Sequence, residues 1–370
     1  MLPNNKKTAR VACSTLPAAS RIGIPLLSEV HAESCGIIAP SAAAPHEAQW
    51  KADWRAAFTK VSELLNFLAI NPDDALGAEP NAQFPLRVPR SFAQRMRPGD
   101  LNDPLLQQVL SRQIEQEIAA GFGSDPVGDL AQLAVPGLIH KYAGRALLIT
   151  TGSCAVHCRY CFRREFPYAT ESLTPAALNA ALHYLRGDPS ITELILSGGD
   201  PFALDTTKLQ KLSNAFAELP QLRRLRIHTR TPIVLPSRVD TSLCAWLRAL
   251  PWPCALVLHV NHAQELAAAD VGSALAQLKA TGVCLLNQAV LLKAVNDSVA
   301  AQVALSEALY AHGVLPYYLN QLDQVQGAAH FAVDDALAIA LHAQLRAQLP
   351  GYLVPKLVRD VRGGLAKTPL

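Results

Sequence analysis

From Arg145 onward, short apolar runs of β type alternate with stretches of helix length. The runs are 145–151 (RALLITT), 193–197 (ELILS), 224–230 (RLRIHTR), 254–260 (CALVLHV), 283–290 (VCLLNQAV), 315–322 (LPYYLNQL) and 352–358 (YLVPKLV). Between them lie 174–186, 206–219, 238–250, 263–281, 298–313 and 333–348. Parallel strands need a long crossover, so this rhythm indicates βα units and a parallel sheet. The expected fold class is α/β, an open, partial (β/α)6-type barrel. No G-x-G-x-x-G opens the first unit, which argues against a doubly wound sheet. In such barrels chemistry gathers at the C-terminal strand ends. The notable polar residues fall there: three cysteines after the first run, Gly198-Gly199-Asp200 after the second, and His228, His259, Gln288 and Asp323 at or near later ends.

Upstream the rhythm is absent. Residues 1–28 contain no Asp or Glu but carry Lys6, Lys7, Arg10 and Arg21. That pattern is weakly reminiscent of an organellar transit peptide, and the plainer reading is a disordered leader over 1–46. Cys13 and Cys35 lie in it and receive no role. Trp50, Trp54, Ala57, Phe58, Val61, Leu64, Leu65 and Leu68 recur at helical spacing, and Asn71-Pro72-Asp73 supplies a stop. Residues 84–98 (FPLRVPRSFAQRMRP) read as irregular and 104–120 as a helix. The expected organisation is thus a leader, a mainly helical region over 47–140, and a barrel over 141–370.

Bulk properties narrow the function classes. Half of the 370 residues are hydrophobic, enough for a large core. A formal charge of +3 is too small for a dedicated nucleic-acid surface. Eight unevenly placed cysteines are no disulfide framework at this length, which favours a reducing, cytoplasmic setting. No stretch approaches the roughly eighteen apolar residues of a membrane span.

Cys154, Cys158 and Cys161 stand in a C-x3-C-x2-C spacing, and no fourth cysteine is nearer than Cys244. Thiolates hold iron–sulfur cubanes, commonly four to a cluster. Three would leave one iron open to a substrate or cosubstrate. Two other readings stay open: a zinc site completed by His157, and inert core thiols. Ser197-Gly198-Gly199-Asp200-Pro201 follows a strand directly, and paired glycines let backbone approach a ligand closely; by itself it is also an ordinary turn. The C-terminal stretch, from Asp360 through Gly363 and Gly364 to Lys367, could return a lysine amine to the barrel mouth. Such amines form Schiff bases with carbonyl cofactors, although a tail lysine is ordinarily just solvated.

The cysteine spacing resembles that of the radical S-adenosylmethionine (SAM) enzymes. Residues from about 47 to 370 resemble the lysine 2,3-aminomutase family, in particular its short bacterial branch, which serves β-lysylation of elongation factor P. The segments that carry the resemblance are LRVPRSFAQRM, VPGLIHKYAGRALL, GSCAVHCRYCFRREFPY, LILSGGDPF, RLRIHTRTPIVLP, HVNHAQE, LLNQAVLLKAVND, PYYLNQLDQVQGAAHF, and GYLVPKL with KTPL. The resemblance implies a [4Fe–4S] cluster on Cys154, Cys158 and Cys161, whose open iron chelates SAM for cleavage to a deoxyadenosyl radical. It implies that Gly198, Gly199 and Asp200 hold SAM's amino group, with His259 and Gln288 nearby. Lys367 would carry pyridoxal 5′-phosphate (PLP) as a Schiff base, with Tyr142 and Arg145 lining that site. Arg163 would bind the substrate carboxylate, and Asp323 with Asp360 would hold the ε-ammonium of L-lysine.

The implied product is β-lysine, attached by a separate ligase to a lysine of elongation factor P. The implied electron donor is a flavodoxin or ferredoxin. Two departures from the free-lysine enzymes stand out: Asn320 replaces an aromatic residue near PLP, and the sequence stops at Leu370 without their C-terminal extension, which puts their oligomeric arrangement in doubt. The rival readings are a producer of free β-lysine, a radical SAM enzyme without PLP, and an iron–sulfur or zinc protein without catalysis.

Overall fold

The computed structural model describes residues 46–72, 75, 84–171 and 173–370. The expected leader up to residue 45, with Cys13 and Cys35, and Asp73 of the expected helix stop lie outside the described residues. Ala44–Leu370 forms one compact unit.

Among the described residues ten strands pair in chain order: β1 (Leu133–Val135), β2 (Leu138–Tyr142), β3 (Arg145–Thr151), β4 (Glu193–Gly198), β5 (Arg224–Thr229), β6 (Cys254–Leu258), β7 (Cys284–Val290), β8 (Leu315–Asn320), β9 (Lys356–Arg359) and β10 (Thr368–Pro369). Strands β3 to β9 are parallel throughout. The helices Pro175–Gly187, Thr206–Phe216, Thr241–Arg248, Ala269–Lys279, Val299–Ala311 and Asp335–Gln348 make the crossovers. Strands β1 and β10 end the sheet, so the α/β barrel is partial and unclosed. The apolar runs bury one side against those helices: Leu148, Leu196, Ile227, Leu256, Leu285 and Leu319 share a core with Leu182, Leu209, Leu243, Leu275, Leu305 and Leu341. Among the described residues no helix is long and apolar enough to cross a membrane.

Four local expectations are revised. The first helix breaks into His46–Arg55 and Val61–Phe67 because Phe58 bonds Val88 in both directions, at 2.8 and 3.0 Å. The helix expected over 104–120 lasts only from Pro104 to Gln107, capped by Asp103. It stops where the Gln108 carbonyl accepts the Arg159 amide at 2.9 Å, a tertiary bond no periodicity encodes. The run 352–358 begins as strand only at Lys356, since Pro355 has no amide to give a ladder. Strands β1, β2 and β10 are added by hairpin pairing, β2 being half polar and joined to β3 through Gly144 in the left-handed region.

The N-terminal segment positions the loop between β3 and the next helix. Phe92, Leu105, Leu106 and Val109 pack with Ala155 and Val156 of that loop and with Val234 and Leu235 beyond β5. Buried Glu115 then grips two of the loop's arginines. Its oxygens accept from Arg159 Nε at 2.9 Å and Arg159 Nη2 at 2.5 Å, and from Arg164 Nη2 at 2.9 Å. Burial pushes the Glu115 carboxyl up, but the two guanidiniums hold it below the usual range. Its contribution is therefore present above the unfolded pKa and is lost as pH falls through the lower folded value. Glu115→Ala leaves two buried cations without their partner, and unfolding by denaturant at neutral pH should show a loss of about 3–5 kcal/mol. A loss under about 1 kcal/mol would mean that the loop does not depend on this carboxylate.

Candidate active site

The cysteine loop leaves β3 at its C-terminal end and runs against the turn after β4. A Cβ on Gly199 would lie 2.5 Å from the Ser153 carbonyl oxygen and 2.8 Å from the Gly152 carbonyl carbon. The Gly199 amide donates to the Thr151 carbonyl at 2.7 Å, and the Asp200 amide to Ser153 at 2.8 Å. Gly198 has φ +109°, outside ordinary L-residue space. The glycine pair therefore lets two loops meet backbone to backbone. Asp200 accepts from Thr229 Oγ1 (2.6 Å) and from the amides of Phe202 (3.0 Å), Arg230 (2.8 Å) and Thr231 (2.9 Å). Its carboxylate ties the turn after β4 to the end of β5.

Cys154, Cys158 and Cys161 are each half-buried. Burial raises the Cys154 thiol well above its ordinary value, and Asp200, Cys161 and Cys158 add to the rise. Cys161 is pushed up to about 11 by burial and by Cys158. Thiols packed so that Cys158 opposes ionisation of both Cys154 and Cys161 suit a polycation that would take their protons' place. Among the described residues no three His, Cys, Asp or Glu converge as a single ion requires; a cubane is wider and meets each thiolate at a separate iron. His157, the fourth ligand of the zinc reading, puts Nδ1 2.7 Å from the Pro85 carbonyl and stacks on Phe84.

Beneath the cysteines lies a polar network. The Tyr160 hydroxyl is 2.8 Å from His259 Nε2, and the two rings stack at 5.6 Å. Burial, with Arg230 nearby, lowers the His259 pKa to about 3, so its imidazole is neutral at ordinary pH. Gln288 is half-buried on β7, with Tyr318 of β8 as its cross-strand neighbour.

Across the mouth stands the C-terminal segment. The pairing of β10 with β9 returns Lys367 to the barrel, its Nζ 3.5 Å from Asp360 Oδ2 and 5.9 Å from the Tyr318 ring centre. Asp360 also accepts from Lys141 Nζ at 2.5 Å and the Tyr142 hydroxyl at 2.9 Å. Arg145 lies over the Tyr142 ring at 4.7 Å. Burial raises the Asp360 carboxyl, but Lys367 and Lys141 outweigh it and the net shift is downward. Asp323 differs: burial, with Asp360 and Asp129 nearby, pushes it up to about 6 against the pull of Lys367 and Lys141. Asn320 donates to the Ala289 carbonyl at 3.1 Å while its buried Oδ1 has no partner. A primary amine among tyrosine rings, basic groups and an unpaired buried acceptor fits a phosphorylated carbonyl cofactor such as PLP.

Arg163 and His228 belong to the space between these two sides. Asp129 takes one edge of the Arg163 guanidinium, at 3.0 Å from Nε and 2.7 Å from Nη2. Its Nη1 meets Ser197 Oγ at 3.3 Å. The buried Nε2 of His228 has no partner, and burial lowers its pKa with Arg226, Arg163, Lys367 and His259 all contributing. The sequence reading missed Asp129, Lys141, Glu115, Gln108, Arg230 and Glu265. Arg230 and Glu265 lay inside the quoted RLRIHTRTPIVLP and HVNHAQE; Asp129 carried no local signal.

Residues 143–225 match the family described as a 4Fe-4S single cluster domain. L-lysine 2,3-aminomutase of Escherichia coli (strain K12) is 45% identical over 88% of this chain and 95% of its own length. The enzyme of that name from Haemophilus influenzae is 39% identical over 87% and 95%, and that from Clostridium subterminale 33% identical over 88% and 79%. Among solved structures, a radical SAM methyltransferase from Sphaerobacter thermophilus superposes with a TM-score of 0.43 at 17% identity, covering 60% of this chain and 68% of that one.

The raised pKa of Asp323 has a measurable sign. Its folded value of about 6 exceeds the ordinary 3.8, so its ionisation opposes folding. That cost is absent below about pH 4 and grows as pH rises to 6. Asp323→Asn should therefore stabilise the cofactor-free protein by about 3 kcal/mol at pH 8 and hardly at all at pH 4. Thermal melts at the two pH values check this; an equal effect at both would mean that Asp323 carries no buried-charge cost.

Proposed function

The chain belongs to the L-lysine 2,3-aminomutase family, and on that premise we propose that it is an isomerase moving the amino group of L-lysine from C2 to C3 to give β-lysine. Cys154, Cys158 and Cys161 would hold a [4Fe–4S] cluster, and Gly198, Gly199, Asp200, His259 and Gln288 would border the SAM bound to it. Lys367 would hold PLP, bordered by Tyr142 and Arg145. When bound, the cluster with SAM supplies a hydrogen-abstracting radical, and PLP supplies a carbonyl that conjugates the migrating nitrogen.

The chain's own contribution is orientation and charge matching. Arg163 grips the substrate carboxylate through the guanidinium edge that Asp129 leaves free, a charge-assisted contact suited to a planar fork. Asp323 and Asp360 receive the ε-ammonium, so the lysine chain is stretched between a cation and an acidic pair. The observation that carries this reading is Asp323: burial, with Asp360 and Asp129 nearby, holds its carboxyl up to about 6 against the pull of Lys367 and Lys141, so a further cation beside it is favourable. A substrate ammonium supplies that charge. A substrate with a second carboxylate in its place would meet repulsion. Holding C3 in one place matters because an unpaired electron reacts with whatever lies nearest.

The β-lysine then serves β-lysylation of elongation factor P through a separate ligase, with a flavodoxin or ferredoxin as electron donor, in a reducing cytoplasm. The resemblance of LRVPRSFAQRM, LLNQAVLLKAVND and PYYLNQLDQVQGAAHF to that branch supports this assignment.

Anaerobic reconstitution with iron, sulfide, PLP and SAM, followed by L-lysine, should yield β-lysine by chromatography. Lys367→Ala should abolish both the product and the PLP absorbance. Asp323→Asn should lower kcat/KM at least about thirtyfold, as expected when about 2 kcal/mol of a buried charge contact is lost. The reading fails if no β-lysine forms while Lys367→Ala leaves the PLP absorbance unchanged.

A further inference from the structure

Arg230 has no part in the chemistry above, yet it is the cation most firmly built against the cysteines. It is buried at the end of β5, where its amide donates to Asp200 Oδ2 at 2.8 Å. Its Nη1 donates to Cys158 Sγ at 2.8 Å and to the Tyr160 hydroxyl at 2.6 Å. Its Nη2 donates to Gln108 Oε1 at 2.8 Å and to Glu265 Oε2 at 2.9 Å. Glu265 is equally fixed: its Oε1 accepts from the Asn261 amide at 2.9 Å and from Gln108 Nε2 at 3.2 Å. The Asn261 amide group in turn donates to Tyr160 and Gln108 at 2.7 and 3.0 Å. Neither side chain can turn away without leaving several buried groups unpaired. Four segments distant in sequence converge to keep one guanidinium on one sulfur.

We propose that Arg230 is a positioning residue that sets the reduction potential of the iron–sulfur cluster through the Cys158 sulfur, with Glu265 as its counterweight. Reduction takes one electron from the external donor and converts [4Fe–4S]2+ to [4Fe–4S]+, with no bond broken and no proton moved. The added negative charge spreads onto the sulfurs. A cation whose Nη1 donates to one of them stabilises the reduced form and raises the potential. The Glu265 carboxylate pairs with the other terminal nitrogen, Nη2, and offsets part of that effect. Removing the cation should therefore lower the potential, and removing the anion should raise it. This rests on the cluster residing at Cys154, Cys158 and Cys161.

The test is a redox titration of the anaerobically reconstituted full-length protein without SAM, following the EPR signal of the reduced cluster, with iron and sulfide measured on every sample. Arg230→Gln should shift the midpoint negative by about 59 mV or more, a tenfold change for one electron. Arg230→Lys, which keeps the charge, should recover most of that shift. Glu265→Gln should move the midpoint the other way. If Arg230→Gln holds too little iron to titrate, the sign of the Glu265→Gln shift decides. Full clusters with unchanged midpoints, or a negative shift in Glu265→Gln, overturn the proposal. A wild-type protein that incorporates no iron would instead overturn the cluster assignment on which it rests.

Discussion

One buried carboxylate, that of Glu115, keeps the cysteine loop in place. The loop from Gly152 to Tyr168 has no helix or strand of its own to hold its shape. Its rigidity comes from outside: two guanidiniums on Glu115, one on Asp129, and the Arg159 amide on the Gln108 carbonyl. These pairs are buried, so each is worth little as net attraction but costs much to break. That asymmetry specifies one position for the three thiols. The N-terminal segment thus acts less as a cover for the barrel than as the frame on which the loop is hung.

The opposite side of the mouth is held by a different device. Two residues of β10 pair with β9, and the Leu370 amide reaches the Leu357 carbonyl at 3.2 Å. This short ladder brings a lysine from the end of the chain to Asp360. Between the two sides the electrostatics are graded: Arg163 is neutralised by Asp129, Asp360 by Lys141 and Lys367, and Asp323 is left with the least compensation. An extended zwitterionic amino acid with a second ammonium complements that gradient. Beside it, the Arg230–Glu265 pair couples the C-terminal ends of β5 and β6 to one cysteine sulfur.

Much of this architecture is legible in the sequence. Strand β3 was expected at 145–151 and runs over Arg145–Thr151, and five of the six crossover helices begin within three residues of expectation. The sixth, expected from 263, starts at Ala269 after a short 3-10 turn capped by His262. Buried parallel strands read as continuous apolar runs, and amphipathic helices repeat at their own period, so both signals are local. The N-terminal segment was read less well. Its Phe58, Gln108 and Glu115 serve bonds to residues far along the chain, and such bonds override the helical preference of their neighbours.

The sequence by itself determined the α/β rhythm, the cysteine spacing, the glycine pair, and the lysine near the end of the chain, because each is a pattern among neighbours. Tertiary structure alone decided what those groups face. Gly198 and Gly199 are needed because another loop's backbone passes within Cβ distance; Asp323 is hard to ionise because burial and two distant carboxylates surround it; Arg230 meets Cys158 because the end of β5 crosses beneath the loop after β3. Charge, burial and close approach depend on what surrounds a residue in space, and that surrounding is assembled from segments no local window contains.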